Sequence, residues 1–210
     1  MYTGIVQSAC TVTHIKSQPG LKTLTIAMPP ALLQGLELGA SVGVDGVCLT
    51  VTAFDDSEAR FDVMQETLRV TTLGGLTVGD SVNIERSAKQ GVEIGGHLVS
   101  GHVDGVAKII AIDEPENNRF VTYHVPPEKM KYIFHKGFVA LNGCSLTVAE
   151  VDKPASSFKV CFIPETLRVT THGDKALGDQ VNFEIDRQTQ TIVDTVEQFL
   201  EGNNALIQQG

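Results

Sequence analysis

Short hydrophobic runs separated by glycine, proline, asparagine or aspartate follow one another along the chain to about residue 186. Examples are TLTIAM, SVGVDGVCLTVTAF, ARFDVM and SVNIE in the first half, and RFVTYHV, GFVALNGCSLTVAEV, SFKVCFI and QVNFEI in the second. Apolar and polar positions alternate most clearly at residues 42–44 and 61–63. Such runs predict β-strands joined by tight turns.

Two segments between these runs have a different pattern. PPALLQGLELG and PPEKMKYIFHKG each begin with two prolines and end with glycine. Proline is favoured in the first turn of a helix and glycine just after its end, so each segment is predicted to form a short helix.

The tail predicts a longer, amphipathic helix. After EIDRQTQT, apolar residues recur at helical spacing, and Gly202 and Asn203 are expected to end the run. The apolar positions are Ile192, Val193, Val196, Phe199 and Leu200. This stripe needs a cover: packing on its own chain is the simpler expectation, and self-association is the alternative.

Comparison of the chain with itself shows a repeat. A shift of 97 residues places TGIV on SGHV, Pro29 and Pro30 on Pro126 and Pro127, and DGVCLTV (45–51) on NGCSLTV (142–148). A shift of 99 places ETLRVTT on an identical ETLRVTT, and GDSVNIE on GDQVNFE. The two extra residues must therefore enter between residues 148 and 165, and we expect them at residues 153–157.

A period near 97 residues is far longer than that of solenoid repeats, so each copy is expected to be a whole domain. We place the first domain at residues 1–96, the second at 97–187 and the helical tail at 188–210. About six strands in about 90 residues favour a small closed barrel, which leaves no exposed sheet edge. The two proline-initiated helices would each span a barrel.

Composition narrows the range of partners. Sixteen basic and twenty-five acidic residues give a net charge of -9, which disfavours binding to nucleic acid. No apolar run approaches the length of a membrane span, and the N-terminus lacks the features of a signal peptide, so we expect a cytoplasmic protein without membrane contact. The four cysteines form no CxxC pair and are expected to be free thiols.

Candidate chemistry centres on the repeated heptapeptide. Cys48 and Ser145 occupy the same place in the two copies, and Ile5 in the first copy corresponds to His102 in the second. A small residue in a tight strand is often only a packing choice. The alternative is that a duplicated scaffold with diverged polar groups handles two similar molecules in different roles. Nucleotide-binding and metal-binding motifs are missing, and neither a cofactor nor a metal is expected.

Several motifs together resemble one family. They are MYTGIV, GVCLTV, ETLRVTTLG, NIER, GGHLVSGHVDG, KGFVALNGCSLTV and IPETLRVTT, in order along almost the whole chain. This set is similar to the α-type riboflavin synthases. The resemblance implies an all-β chain of two six-stranded Greek-key barrels with a C-terminal helix that joins a homotrimer. It implies a dismutation without cofactor: one 6,7-dimethyl-8-ribityllumazine donates a four-carbon unit to another, giving riboflavin and 5-amino-6-ribitylaminouracil, in the final step of riboflavin biosynthesis.

The resemblance also assigns residues, with the site between the N-terminal barrel of one subunit and the C-terminal barrel of another. Catalytic roles fall to Cys48, His102, Ser145, Thr147 and Asp186, the last of which would polarise Ser145 or a water. One lumazine would be held by Gly4, Ile5, Val6, Cys48, Leu49, Thr50, Asp62, Val63, Met64, Gln65, Glu66 and Thr67. The other would be held by His102, Val103, Asp104, Lys136, Ser145, Leu146, Thr147, Phe162, Ile163, Pro164, Glu165, Thr166 and Leu167.

Position 2 departs from the family, which usually has phenylalanine where this chain has Tyr2; the added hydroxyl needs a partner.

Two other functions are considered. Fluorescent lumazine-binding antenna proteins share the fold without the catalysis. A cysteine-dependent hydrolase would explain Cys48 but leaves the duplication unexplained. Association with lumazine synthase is left open.

Overall fold

The protein is described by a computed structural model that covers residues 1–89, 91, 93–116 and 118–207, with side chains to residue 202. Its first barrel consists of β1 (Ser8–Gln18), β2 (Leu21–Ala27), β3 (Ser41–Val44), β4 (Val47–Phe54), β5 (Glu58–Met64) and β6 (Ser81–Arg86). The strands close in the order β1-β2-β5-β4-β3-β6. We call this the N-barrel.

The second barrel repeats the first. It consists of β7 (Gly105–Asp113), β8 (Arg119–His124), β9 (Phe138–Leu141), β10 (Cys144–Asp152), β11 (Ser157–Phe162) and β12 (Gln180–Ile185). Its order, β7-β8-β11-β10-β9-β12, is that of the N-barrel, and the neighbouring strands pair antiparallel. The predicted pair of six-stranded Greek-key barrels is confirmed. We call this one the C-barrel.

Each barrel has its own core, filled by alternate residues of its strands. Leu24, Val44 and Phe61 are fully buried in the N-barrel, and Phe158 and Phe183 are buried in the C-barrel. The opposite faces of the same strands point outward, because side chains alternate along a strand. Functional side chains can therefore sit on the outside of a barrel without disturbing its core.

The two extra residues of the second copy lie in the β10–β11 hairpin. Phe54 pairs with Ala59 in the N-barrel, and the corresponding Val151 pairs with Phe158 in the C-barrel. Four residues connect the first pair and six connect the second. This confirms the predicted position of the insertion.

The predicted short helices are present, as α1 (Pro30–Leu33) and as a 3-10 helix over Pro127–Tyr132. The structure adds α2 (Gln65–Val70) and α3 (Pro164–Val169), which the pattern did not predict and which overlap the repeated ETLRVTT; a 3-10 helix follows each, over Thr72–Gly75 and Thr171–Gly173. Each contains a Glu–Arg ion pair at i,i+3 spacing. Such helices are too short to show an apolar period.

The C-terminal helix α4 spans Arg187–Ile207, so the prediction that it ends at Gly202 and Asn203 is wrong. Gly202 does not adopt the left-handed conformation that would cap a helix, and one glycine weakens a helix without stopping it. Among the residues described, no helix is both long and apolar enough to cross a membrane.

One face of α4 contacts the C-barrel. Asp194 accepts a hydrogen bond from the Tyr132 hydroxyl at 2.6 Å, and Val193 packs against the C-barrel core. The remaining apolar positions stay exposed: Ile192, Val196, Phe199 and Leu200. The simpler expectation, that the stripe is covered by its own chain, is wrong for these four residues.

The barrels meet along a pseudo-twofold axis at the turns before β4 and β10. A Cβ atom placed on Gly46 would lie 2.6 Å from the Gly143 nitrogen, so only glycine fits there. Across this contact the Asn83 amide donates to the Asn142 carbonyl at 3.0 Å, and the Asn182 amide donates to the Asp45 carbonyl at 2.9 Å. The pairing holds the two turns back to back.

Asp45 brings a titratable carboxyl group into this buried junction. Its Oδ1 accepts the Asn83 N–H at 2.7 Å, as Asn142 Oδ1 accepts the Asn182 N–H at 2.7 Å. Burial raises the pKa of the Asp45 carboxyl to about 7, although the Asn83 hydrogen bond and the charge of Lys175 oppose this shift. Between pH 3.8 and about 7, the Asp45 carboxyl therefore keeps its proton in the folded chain but loses it in the unfolded chain.

We predict that Asp45→Asn stabilises the protein more at pH 8 than at pH 5. Since the pKa is raised on folding, the wild type loses stability as pH rises from its unfolded value of 3.8 towards 7, by up to a few kcal/mol. Asparagine does not titrate and is already accepted at the matching position 142. Urea unfolding of both proteins from pH 5 to 8.5 measures the difference, and parallel profiles would contradict the prediction.

Candidate functional site

One of the three positions at which the heptapeptides differ, occupied by Cys48 in the first copy and Ser145 in the second, lies on the outer surface of each barrel. Leu49 on β4 and Leu146 on β10 are buried in the cores, so Cys48 and Ser145, their neighbours, face outward. Thr50 and Thr147 follow on the same faces. Each barrel thus presents a small polar group and a threonine in matching places, which we call the N half-site and the C half-site.

The first segment of each copy lies on the barrel of the other copy. The Cys48 N–H donates to the Gly101 carbonyl at 2.9 Å, and the Ser145 N–H donates to the Gly4 carbonyl at 2.8 Å. Val6 belongs to the C-barrel core, and Val103 packs against the N-barrel core. The two segments are exchanged about the pseudo-twofold axis.

This exchange corrects the grouping expected from sequence. Gly4, Ile5 and Val6 were expected beside Cys48, but they lie beside Ser145 on the C-barrel. His102, Val103 and Asp104 were expected beside Ser145, but they follow Gly101 on the N-barrel side. Order along the chain carries no signal for such an exchange, because each segment directly precedes the barrel that it leaves.

Two buried glutamates hold the exchanged segments. Glu85 Oε1 accepts the Thr3 N–H at 2.7 Å and the Thr3 hydroxyl at 2.8 Å. Glu184 accepts the Ser100 N–H at 2.7 Å and, through its other oxygen, the Gly101 N–H at 2.9 Å. Burial raises the pKa of Glu85, and the Thr3 hydrogen bonds oppose this shift. Sequence reasoning missed both residues, although the match of NIE with NFE was a usable signal.

The C half-site contains a hydrogen-bonded serine–histidine pair. His97 Nδ1 and Ser145 Oγ are 2.6 Å apart, and the His97 ring stacks on Phe138 with 5.2 Å between ring centroids. Burial lowers the pKa of His97, an effect that the charge of Asp186 opposes. A neutral imidazole can accept the Ser145 proton. His97 was not among the predicted catalytic residues.

The N half-site has a different partner. The Tyr2 hydroxyl donates to Cys48 Sγ at 3.1 Å, so the added hydroxyl of Tyr2 has the partner that it needs. The equivalent strands β4 and β10 therefore carry different chemical pairs. Cys48 is bonded to a phenol, and Ser145 is bonded to an imidazole.

The remaining predicted binding residues divide by burial. Asp62, Met64 and Ile163 are exposed beside the half-sites, and Thr23 donates to Asp62 Oδ1 at 2.7 Å. By contrast, the side chains of Val63 and Phe162 lie in the cores, with 0% and 1% of their surfaces exposed, and can offer a ligand only backbone. The others lie on the short helices α2 and α3: Gln65, Glu66, Thr67, Pro164, Glu165, Thr166 and Leu167.

Asp104 has a structural role. Its carboxylate accepts the Ile185 N–H at 2.9 Å and pairs with Arg187 at 3.1 Å. Arg187 also donates to the His102 carbonyl, and the His102 ring stays exposed. Lys136 is exposed and has a positive φ of 64°. The hydrogen bonds of Asp104 and Arg187 tie the start of α4 to the segment beside the N half-site.

Asp186 is the N-cap of α4. Its Oδ2 accepts the Thr189 hydroxyl at 2.6 Å and the Thr189 N–H at 3.1 Å, which satisfies a free amide of the first turn. The hydrogen bond that reaches Ser145 Oγ comes from His97. Asp186 therefore acts on this pair at longer range, through its charge on His97.

The duplicated barrels and their paired outward sites define a duplicated ligand-binding protein. The family model "Lumazine binding domain" matches residues 3–87 and 100–186, and the chain belongs to this family.

Among its relatives, riboflavin synthase of Escherichia coli (strain K12) is 50% identical over 212 residues, which cover 100% of this chain and 99% of the relative. Riboflavin synthase of Chlamydia pneumoniae is 45% identical over 200 residues, with 95% and 97% covered. Two solved structures of LumP cover 89% of this chain and 100% of their own. The complex with 6,7-dimethyl-8-(1'-D-ribityl) lumazine has a TM-score of 0.80 at 26% identity, and the complex with riboflavin has 0.81 at 27%.

We predict that Gly101→Ala destabilises the protein more than Gly39→Ala. Both glycines have φ +82°, but a Cβ on Gly101 would lie 2.6 Å from the Cys48 Cβ, whereas nothing lies within 4 Å of one on Gly39. The shared backbone strain should cost about 1 kcal/mol in each, and the clash should add about 1–3 kcal/mol at Gly101. Urea unfolding gives both values; equal losses would mean that residues 100–103 do not pack on β4.

Proposed function

We propose that this protein is a riboflavin synthase, which converts two molecules of 6,7-dimethyl-8-ribityllumazine into riboflavin and 5-amino-6-ribitylaminouracil. The observation that carries the proposal is the pair of half-sites with one scaffold and different polar groups. The full-length similarity to riboflavin synthases supports it. Every atom of the two substrates is found in the two products, so the balanced reaction needs no external oxidant or reductant.

The two half-sites suit a reaction between two copies of one molecule. The donor and the acceptor have the same shape, which the shared Leu-Thr-Val strands can bind twice. Their roles differ, which requires different polar groups, supplied by Cys48 in one half-site and Ser145 in the other. Gly4, Ile5 and Val6 contribute backbone to the C half-site, while His102 and Val103 contribute to the N half-site.

Proton transfer is assigned to the C half-site. The 7-methyl group of the lumazine is acidic because its anion delocalises into the ring, so a modest base can remove its proton. Ser145 hydrogen-bonded to the neutral His97 forms such a base, and Thr147 lies two residues along the same outer face. His102, on the N-barrel side, can exchange protons with the other lumazine. Orientation of the two rings supplies further acceleration, up to about 7–11 kcal/mol.

Assembly follows from two surfaces that a single chain leaves open. The apolar residues of α4 are exposed, and Cys48 and Ser145 sit on the outsides of different barrels. A homotrimer joined through α4 would cover the stripe and bring the N half-site of one chain against the C half-site of another. The partners of the protein are then its substrate, its products and two copies of itself, in the cytoplasm.

We expect purified protein mixed with 6,7-dimethyl-8-ribityllumazine alone to form riboflavin, because both half-sites retain their polar groups. Absorbance of riboflavin measures the product, and chromatography should show one 5-amino-6-ribitylaminouracil for each riboflavin. Binding of the lumazine without product would instead favour an antenna protein of the LumP type. Absence of binding would refute both functions.

We further expect Val196→Asp with Phe199→Asp to dissociate the trimer and remove most of the activity. Buried carboxylates would be too costly in a helix interface. These variants leave Arg187 and its contacts to residues 102 and 104 in place.

Gln198→Asp is the matched control, since residue 198 is also exposed on α4 but points away from the stripe. Light scattering gives the oligomeric state and the riboflavin assay gives the activity. A trimer with full activity after both stripe substitutions would refute assembly through α4.

A further inference from the structure

Tyr2 lies beneath the N half-site in a space that fits its ring closely. The residue is 2% exposed and is fixed by two backbone hydrogen bonds to Val99, at 2.8 and 3.0 Å. A Cβ on Gly43 would lie 3.3 Å from Cε1 of the ring, and one on Gly101 would lie 2.8 Å from Cε2. Two positions without side chains thus receive the two edges of the ring.

The ring carries its hydroxyl to Cys48. The O–H donates to Sγ at 3.1 Å, and Cys48 is half-buried on the outward face of β4. Burial raises the pKa of the Tyr2 hydroxyl far above its usual value, so the group keeps its proton and acts as a donor. Because the phenol supplies the proton of this bond, the S–H proton of Cys48 stays free for another acceptor.

The C-barrel has no counterpart of this arrangement. Val99 stands where the repeat places Tyr2, and Ala140 stands where it places Gly43. Valine has no hydroxyl, and the partner of Ser145 is His97. The contact from Tyr2 therefore distinguishes the N half-site from the C half-site. A ring alone would fill the same space, so packing does not account for the hydroxyl.

We infer that Tyr2 is a positioning residue of the N half-site, whose hydroxyl holds the Cys48 thiol so that its S–H is directed to a carbonyl oxygen or ring nitrogen of the bound lumazine. The inference rests on the proposed function for the identity of the ligand. Without the bond the thiol can rotate between side-chain rotamers, and part of its hydrogen bond to the ligand is lost.

A double-mutant cycle of Tyr2→Phe and Cys48→Ala tests the inference. Tyr2→Phe should lower kcat/KM for lumazine about three- to tenfold, the loss of one hydrogen bond, and mainly through a higher KM. In the Cys48→Ala background the same substitution should change kcat/KM by less than about 1.5-fold, because the group through which Tyr2 acts is gone.

Tyr123→Phe is the matched control. Tyr123 is 1% exposed and stacks on Phe158 in the C-barrel core, with 5.7 Å between ring centroids. Tyr123→Phe removes a buried hydroxyl far from Cys48 and should leave kcat/KM unchanged. Thermal unfolding of all variants shows whether Tyr2→Phe only loosens the fold, since that would lower activity equally with and without Cys48.

The same cycle measured by riboflavin affinity, from the change in flavin fluorescence on binding, separates this inference from the proposed function. If the wild type binds riboflavin without forming it, the proposed function fails, yet coupling between Tyr2 and Cys48 in affinity still supports the positioning role. If Tyr2→Phe equals the wild type in activity and affinity, or if the two substitutions are additive, the inference is overturned.

Discussion

The contact on which the structure depends is the exchange of first segments between the two barrels. Cys48 and Ser145 donate their backbone N–H groups to Gly101 and Gly4, so the strands that carry the reactive side chains also hold the halves together. The approach requires glycines at positive φ, because any Cβ there would meet the opposite strand. It also places Val6 and Val103 against the core of the opposite barrel. Neither half-site is therefore the product of one copy of the repeat.

Nearly identical strands acquire different chemistry from the side chains that reach them. Each half-site takes its strand and its polar pair, Tyr2–Cys48 or His97–Ser145, from one copy and a backbone segment from the other. Tyr2 reaches Cys48 through the bridge with Val99, whereas His97 reaches Ser145 from the segment that joins the barrels. The asymmetry needed by a donor and an acceptor thus arises around the repeated Leu-Thr-Val. The alternation of this tripeptide must be kept because its Leu and Val side chains fill the cores.

Sequence reasoning reached the parts of the structure that have a local signal. Duplication was visible in DGVCLTV and NGCSLTV, the barrels followed from the strand pattern, and the insertion lies where the change of shift placed it. The grouping of Gly4 and His102 was wrong because segment exchange is a long-range event that leaves spacing unaltered. His97 was not predicted as catalytic because its contact with Ser145 joins residues 48 positions apart in the chain. The end of α4 was misplaced because Gly202 does not adopt the left-handed conformation that caps a helix.

Divergence between the two copies also costs stability, at positions away from the half-sites. Asp45 and His172 stand opposite Asn142 and Leu73, and each buries a titratable group. Burial lowers the pKa of His172 to about 4, and although Nε2 contacts the Leu141 carbonyl at 3.0 Å, Nδ1 finds no hydrogen-bond partner among the described residues. Leucine fills the same place in the N-barrel without this penalty. Because neither buried group lies in a half-site, the stability lost there is separable from the polar differences at Cys48 and Ser145, which lie outside the two barrel cores.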